Sequence, residues 1–280
     1  MSLFLAVLAQ VGPFTNQPAT PPLRPPAEGR LRAAPAAAPA PPASRSRLDY
    51  CLDGATNTPV DAIDDAENWR DAVQGSAKAE PDLCLGSAHA RLEHWDEAEA
   101  AFLAGRDSSA ETGRQLRAKL GAMAGNAALA QGAWERALAP LDMALSDAKV
   151  AGDLRLTGEV QIDRARALVA LKREAEASQA LVEARTSAAD NSFAWLLSAT
   201  LSRRQGKLAA AQAQIATAAQ LAPRDPEIGL EAGVIAMLAG NEAAARKSWQ
   251  SAIDTAPASE AAATAKGYLA QLGEAPQSKP

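Results

Sequence analysis

Few residues in this 280-residue chain have types and spacings suited to chemistry. There are two cysteines, Cys51 and Cys84, and two histidines, His89 and His94. The thiols can close one disulfide, or they can remain two separately buried groups; a bridge presupposes an oxidising compartment. A zinc site needs close ligand spacing, which these four residues do not offer, so no metal is expected. A nucleophilic site needs an activated nucleophile beside an oriented base, and neither histidine has such a companion in the sequence. Both histidines are therefore read as structural. The acid pairs Asp64-Asp65 and Asp96-Glu97 fit helix starts and solvated faces. No catalytic residue and no cofactor is assigned, and the chain is expected not to be an enzyme.

The elements that hold these residues follow a period. Between Ser192 and Ser259, Gly206, Ala211, Ala218 and Pro223 recur as Gly240, Ala245, Ala252 and Pro257. Each copy reads as a helix, a glycine turn, a second helix and a closing proline. Counting the turn glycine as position 15, the two copies run 192–225 and 226–259. Degenerate copies precede them at 158–191, 118–151 and 79–112. In 158–191 Lys172 replaces the glycine, and Arg164 stands where leucine is usual. Between 118–151 and 158–191 six extra residues must lengthen the second helix or its connection. Pro140 falls inside that second helix, where a proline would ordinarily kink or break it.

The period and the residues Trp195, Ala199, Gly206, Ala211, Ala218 and Pro223 resemble the tetratricopeptide repeat, a helix–turn–helix unit of 34 residues. The resemblance implies an all-α, right-handed α-solenoid of about five helix pairs, capped at both ends. Amino-terminal capping helices are expected over 47–78, with Val60–Ala77 as one helix opened near Pro59 and Trp69 facing inward. A carboxyl-terminal capping helix is expected over 260–273, begun by Ser259 and stopped by Gly273. With Cys51 ahead of the first cap helix and Cys84 in the first repeat, a bridge would clip the cap to the solenoid. It would be worth roughly 3–4 kcal/mol in the chain-entropy model.

In proteins of this kind the first helix of each repeat lines a concave groove. Positions 2, 5, 9, 12 and 13 carried onto this chain give Arg91, Asn126, Arg166, Phe193, Arg203, Arg204, Leu230 and Met237 as the partner-binding residues that the resemblance implies. Arginine and asparagine there suit a peptide backbone or a terminal carboxylate. Alanine at Ala122, where the family's carboxylate clamp has lysine, leaves that particular mode unsupported. The resemblance thus points to a protein–protein interaction scaffold that takes a peptide or protein partner. A self-associating subunit and a cytoplasmic regulator are the alternatives.

Composition agrees with this reading. Apolar residues make up 48% of the chain but aromatics only 4%, so alanine supplies much of the contact surface and helices can approach closely. Residues 1–47 carry five arginines and one glutamate; with −5 overall, the remainder carries −9. An acidic body repels phosphate backbones, so no nucleic-acid partner is expected. No apolar run approaches the ~20 residues of a membrane-spanning helix. Residues 1–9, MSLFLAVLA, read as a short secretory signal. Residues 10–46 hold ten of the 18 prolines and read as a disordered linker. The tail 274–280 is expected to be loose. Signal and disulfide together point to a bacterial envelope protein, most simply a periplasmic one, with a role in envelope assembly or maintenance.

Overall fold

The computed structural model describes residues 45–273; the signal, most of the linker and the tail expected above lie outside the described residues. The regular structure of residues 45–273 is helical throughout. Helices α1 (Arg47–Asn57) and α2 (Pro59–Asp71) lead through a 3-10 turn at Gly75–Lys78 into α3 (Ala79–Arg91) and α4 (Trp95–Ser108). Helices α5 (Arg114–Ala130), α6 (Trp134–Ala151), α7 (Leu154–Ala170) and α8 (Glu174–Ser187) form the middle. They are followed by α9 (Ser192–Arg204), α10 (Leu208–Leu221), α11 (Pro226–Leu238), α12 (Glu242–Thr255) and α13 (Glu260–Leu272).

Local chemistry sets many of these ends. Ser46 and Asp49 form a reciprocal capping box at α1, with the Ser46 Oγ accepting the Asp49 N–H at 3.1 Å and the Asp49 carboxylate accepting the Ser46 N–H at 3.0 Å. Pro59 opens α2 at a position whose N–H would be unpaired anyway. Asn191, Asp225 and Ser259 accept N–H groups from the first turns of α9, α11 and α13. The single helix expected over 60–77 is instead α2 followed by the 3-10 turn, because the chain breaks at Ala72–Gln74 and Gly75 takes a positive φ of 58°.

Each turn inside a helix pair has one geometry. Positive φ recurs at Glu93, Gly132, Lys172, Gly206 and Gly240, with values of 61, 71, 61, 73 and 77°. The next residue's N–H always reaches back five residues: His94 to the His89 carbonyl, Ala133 to Ala128, Arg173 to Leu168, Lys207 to Ser202 and Asn241 to Ala236, at 2.8–2.9 Å. Glu93 and Lys172 hold this conformation despite a Cβ, a strain of about 1–2 kcal/mol each.

Packing within a pair sets a small residue against a large one. A Cβ on Gly86 would lie 2.5 Å from the Phe102 ring, and one on Gly125 2.5 Å from Leu141. One on Gly233 would overlap the Trp249 indole. Alanine suffices at Ala165 and Ala199, where the facing side chains are Leu181 and Ile215.

The extra residues of the middle are helical. Helices α5, α6 and α7 have 17, 18 and 17 residues, against 13 or 14 for α3, α4 and α8 to α12. The insertion extends α6 to Ala151 and starts α7 at Leu154, so only Gly152 and Asp153 separate them. Repeat boundaries expected at 118 and 158 thus fall one turn inside α5 and α7. Helix α6 also continues through Pro140 rather than ending there.

Consecutive helices pack on one another along the whole chain. In addition α5 touches α7, α7 touches α9 and α9 touches α11, while the even-numbered helices make no comparable contact with one another. The odd-numbered helices therefore form the inner, concave layer and the even-numbered ones splay outward. The result is an α-solenoid, as the sequence indicates. The Cys51–Cys84 disulfide bonds α1 to α3 with a Cα–Cα distance of 5.9 Å. At the other end Tyr268 of α13 lies 5.1 Å, ring to ring, from Trp249. Between α4, α5 and α6 the buried Asp147 carboxylate takes Arg106 at 2.8 Å and Arg114 at 2.7 Å, with Arg117 at 3.7 Å.

Candidate functional site

The concave layer is the natural place to look for a partner site, and it is more self-contained than its sequence suggests. Position 5 of the repeats is buried throughout: Leu83, Ala122, Ile162, Leu196 and Leu230 are each 2–7% exposed. Neighbouring inner helices approach so closely that this position packs against them instead of facing the groove. Leu230, expected to contact a partner, is thereby a core residue beside Trp249, and its carbonyl accepts the indole Nε1–H at 3.2 Å.

The arginines meet carboxylates of the protein itself. Arg166 Nη1 donates to Asp163 Oδ1 at 3.0 Å, and Asn126 bonds the same carboxylate from α5. One seam further on, Arg203 forms a fork with Glu231, Nε to Oε1 at 2.6 Å and Nη2 to Oε2 at 3.3 Å, and Thr200 bonds that carboxylate too. Burial pushes both the Asp163 and the Glu231 carboxyls above their ordinary range, more than their arginine partners draw them down. Arg91 turns to the amino-terminal cap, its Nε donating to the Thr56 carbonyl at 3.4 Å. Phe193 is half-buried against Ile162, Ala184 and Ala194.

Arg204 differs. Its Nη2 lies 3.7 Å from Glu174 Oε1, too far for a hydrogen bond, and its side chain is 31% exposed. It stands with Arg166, Val169, Leu197 and Thr200 around a small apolar pocket between α7 and α9, floored by Leu181. The structure thus brings Arg166 and Arg204 to one pocket, joins Asn126 to it through Asp163, and leaves Arg203 in the next seam. Met237, 37% exposed, and Leu238, 55% exposed, form an apolar patch at the carboxyl end of α11.

The sequence reading missed Asp163 and Glu231. Asp163 sits three residues before Arg166 on one helix face, a spacing that signals an ion pair. Glu231 lies 28 residues from Arg203 and only the stacking of α9 on α11 joins them. The histidine rings lie 5.8 Å apart, and burial lowers the His89 pKa. No group of three metal-binding side chains occurs among the described residues, and no helix there is long and apolar enough to cross a membrane.

No protein-family model and no curated protein matches the chain. Solved structures do. BtubC from P. vanneervenii matches with a TM-score of 0.59 at 13% identity, over 84% of this chain and 96% of that one. The apo form of RapI matches with a TM-score of 0.66 at 11% identity, over 80% of this chain and 66% of that one. YrrB, described as a TPR protein with an unusual peptide-binding site, matches with a TM-score of 0.50 at 20% identity, over 75% of this chain and 98% of that one. With the turn geometry and the small–large packing above, these likenesses define the fold: a helical solenoid of the tetratricopeptide-repeat type.

Proposed function

We propose that the protein is a non-catalytic scaffold that holds an extended peptide segment of a partner protein on its concave face. The observation that carries this reading is the apolar pocket between α7 and α9, with Arg204 at its rim lacking a hydrogen-bonded carboxylate. An aliphatic side chain would fill the pocket while backbone groups of the peptide meet Arg204 and Thr200. The described peptide-binding site of the similar YrrB adds support from a related fold. A randomised peptide array probed with the wild type and with Val169→Trp, which fills the pocket, tests it. Selected peptides should lose binding to the variant, and equal binding to both would overturn the reading.

The setting we propose is the bacterial envelope, with the chain exported and its role lying in envelope assembly or maintenance. The buried Cys51–Cys84 bond supports an oxidising compartment. The mass of the protein isolated from cells would show removal of residues 1–9, and retention of Met1 would count against export by that signal. Self-association is a second reading, favoured by the exposed Met237 and Leu238. Sedimentation should then reveal a dimer that Leu238→Glu dissociates.

A further inference from the structure

Helix α7 departs from its neighbours on the face turned away from the groove. Where α9 carries Trp195, α7 carries Gln161, and one turn later it carries Arg164 in place of the usual leucine. Trp195 is held against α8, its ring 4.9 Å from the Arg185 guanidinium and its Nε1–H donating to the Ala189 carbonyl at 2.8 Å. Gln161 and Arg164 place polar groups there instead. A cavity of about 260 Å³ opens to solvent where α6 and α8 splay apart, with α7 as its floor.

The polar groups in it are built into place. Gln161 is 1% exposed; its Nε2 donates to Glu183, and its Oε1 accepts from Arg164 Nη1 at 2.8 Å. Arg164 Nε donates to Asp142 at 2.6 Å, and Lys149 Nζ lies 3.0 Å from Glu183 Oε2. Glu183 Oε2 takes both of its bonds, which leaves Oε1 as an acceptor, while the Lys149 ammonium and the Arg164 guanidinium retain further N–H donors. The hydrogen bond from Lys149 holds the Glu183 carboxyl below its ordinary range, so it is charged at neutral pH. Leu145 and Leu168 supply apolar wall.

Polar side chains in a core slot cost stability unless partnered, and aliphatic ones would have served the stack without this network. A local departure from the repeat pattern of this kind is where a functional position is sought. The cavity sets cationic donors and an anionic acceptor within one small space beside apolar wall, and it is too small for a large ligand. We infer that the α6–α8 cavity binds a free α-amino acid, its carboxylate on Arg164 and Lys149, its ammonium on Glu183 and its side chain against Leu145 and Leu168. This site is independent of the concave face.

The test is calorimetric titration of the full chain with each proteinogenic amino acid. The best binder is then compared with its N-acetyl derivative, which lacks the ammonium, and its amide, which lacks the carboxylate. The site predicts saturable binding of at least one amino acid and a loss of about tenfold or more for both derivatives. Glu183→Gln should weaken the amino acid to a similar degree without changing the fold seen by circular dichroism. The double variant Gln161→Leu with Arg164→Leu, which restores the apolar pattern, should abolish binding without lowering the unliganded Tm. The inference is overturned if no amino acid binds at about 10 mM, well above a millimolar Kd. It is equally overturned if a derivative binds as tightly as the zwitterion, or if Glu183→Gln binds unchanged.

Discussion

The carboxyl-terminal helices α9–α12 and the middle helices α5–α8 solve one packing problem with different materials. In α9–α12 the turns use Gly206 and Gly240, the pairs interlock as Ala199 with Ile215 and Gly233 with Trp249, and the helices are short. In α5–α8 helices lengthen, Lys172 strains one turn, and polar or charged groups enter the interior at Asp147, Gln161 and Asp163, with Arg164 half-buried beside them. The regular region fixes shape through complementarity of size, apart from the Arg203–Glu231 fork between α9 and α11. The irregular one spends stability on polar contacts, and the outer cavity lies wholly within it, while the groove pocket spans its boundary with α9.

The sharpest way to break this contrast is Asp147→Ala. Arg106 and Arg117 would stay buried beside α6 without their carboxylate, and the urea midpoint should fall by an amount equal to about 3–5 kcal/mol. In the regular region Gly233→Ala should cost about 1–3 kcal/mol, because its methyl overlaps the Trp249 indole. Adding Trp249→Ile reproduces the alanine–isoleucine pair found at Ala199 and Ile215, and chemical denaturation should show most of that loss recovered. Turn strain gives a smaller and oppositely signed pair. Lys172→Gly should raise stability by about 0.5–1 kcal/mol and Gly206→Ala should lower it by about 1 kcal/mol, both read from Tm.

The last effect is one of pH. Burial raises the Asp163 pKa, so the folded state holds its proton more firmly than the unfolded state does. The stability this contributes is present below about pH 4, the unfolded value, and is lost as pH rises through the raised folded value. Asp163→Asn should therefore show a flatter loss of Tm between acid and neutral pH than the wild type. An identical slope in both would mean that Arg166 and Asn126 offset burial fully.

Much of this fold could be read from residue types because repeats expose their own rules. Glycine at positions 132, 206 and 240, small residues opposite large ones, and caps at Asn191, Asp225 and Ser259 all act locally. The lengthening of α6 and α7 was legible only as six surplus residues, since Gly152 and Asp153 mark a turn without saying how far the helices on either side extend. The concave site was less legible. Its residues sit on the expected inner helices, yet whether Arg166, Arg203 or Arg204 can meet a partner depends on Asp163, Glu231 and Glu174, and two of those lie on other helices. Leu230 is buried because the spacing between adjacent inner helices, not the repeat pattern, decides which side of α11 is covered. Arg164 looked out of place in the sequence, whereas its partner Gln161 acquired meaning only once Glu183 stood beside it.

The disulfide joins α1 to α3 and so bypasses α2 altogether. Helical stacks contact only their neighbours, and tension applied to one end of such a stack peels it helix by helix. A pull on the chain ahead of Ser46 runs through only the first residues of α1 before Cys51 passes it, by a covalent bond, to α3. The rest of α1 and all of α2 then carry no load, and the solenoid is anchored mechanically at its first repeat.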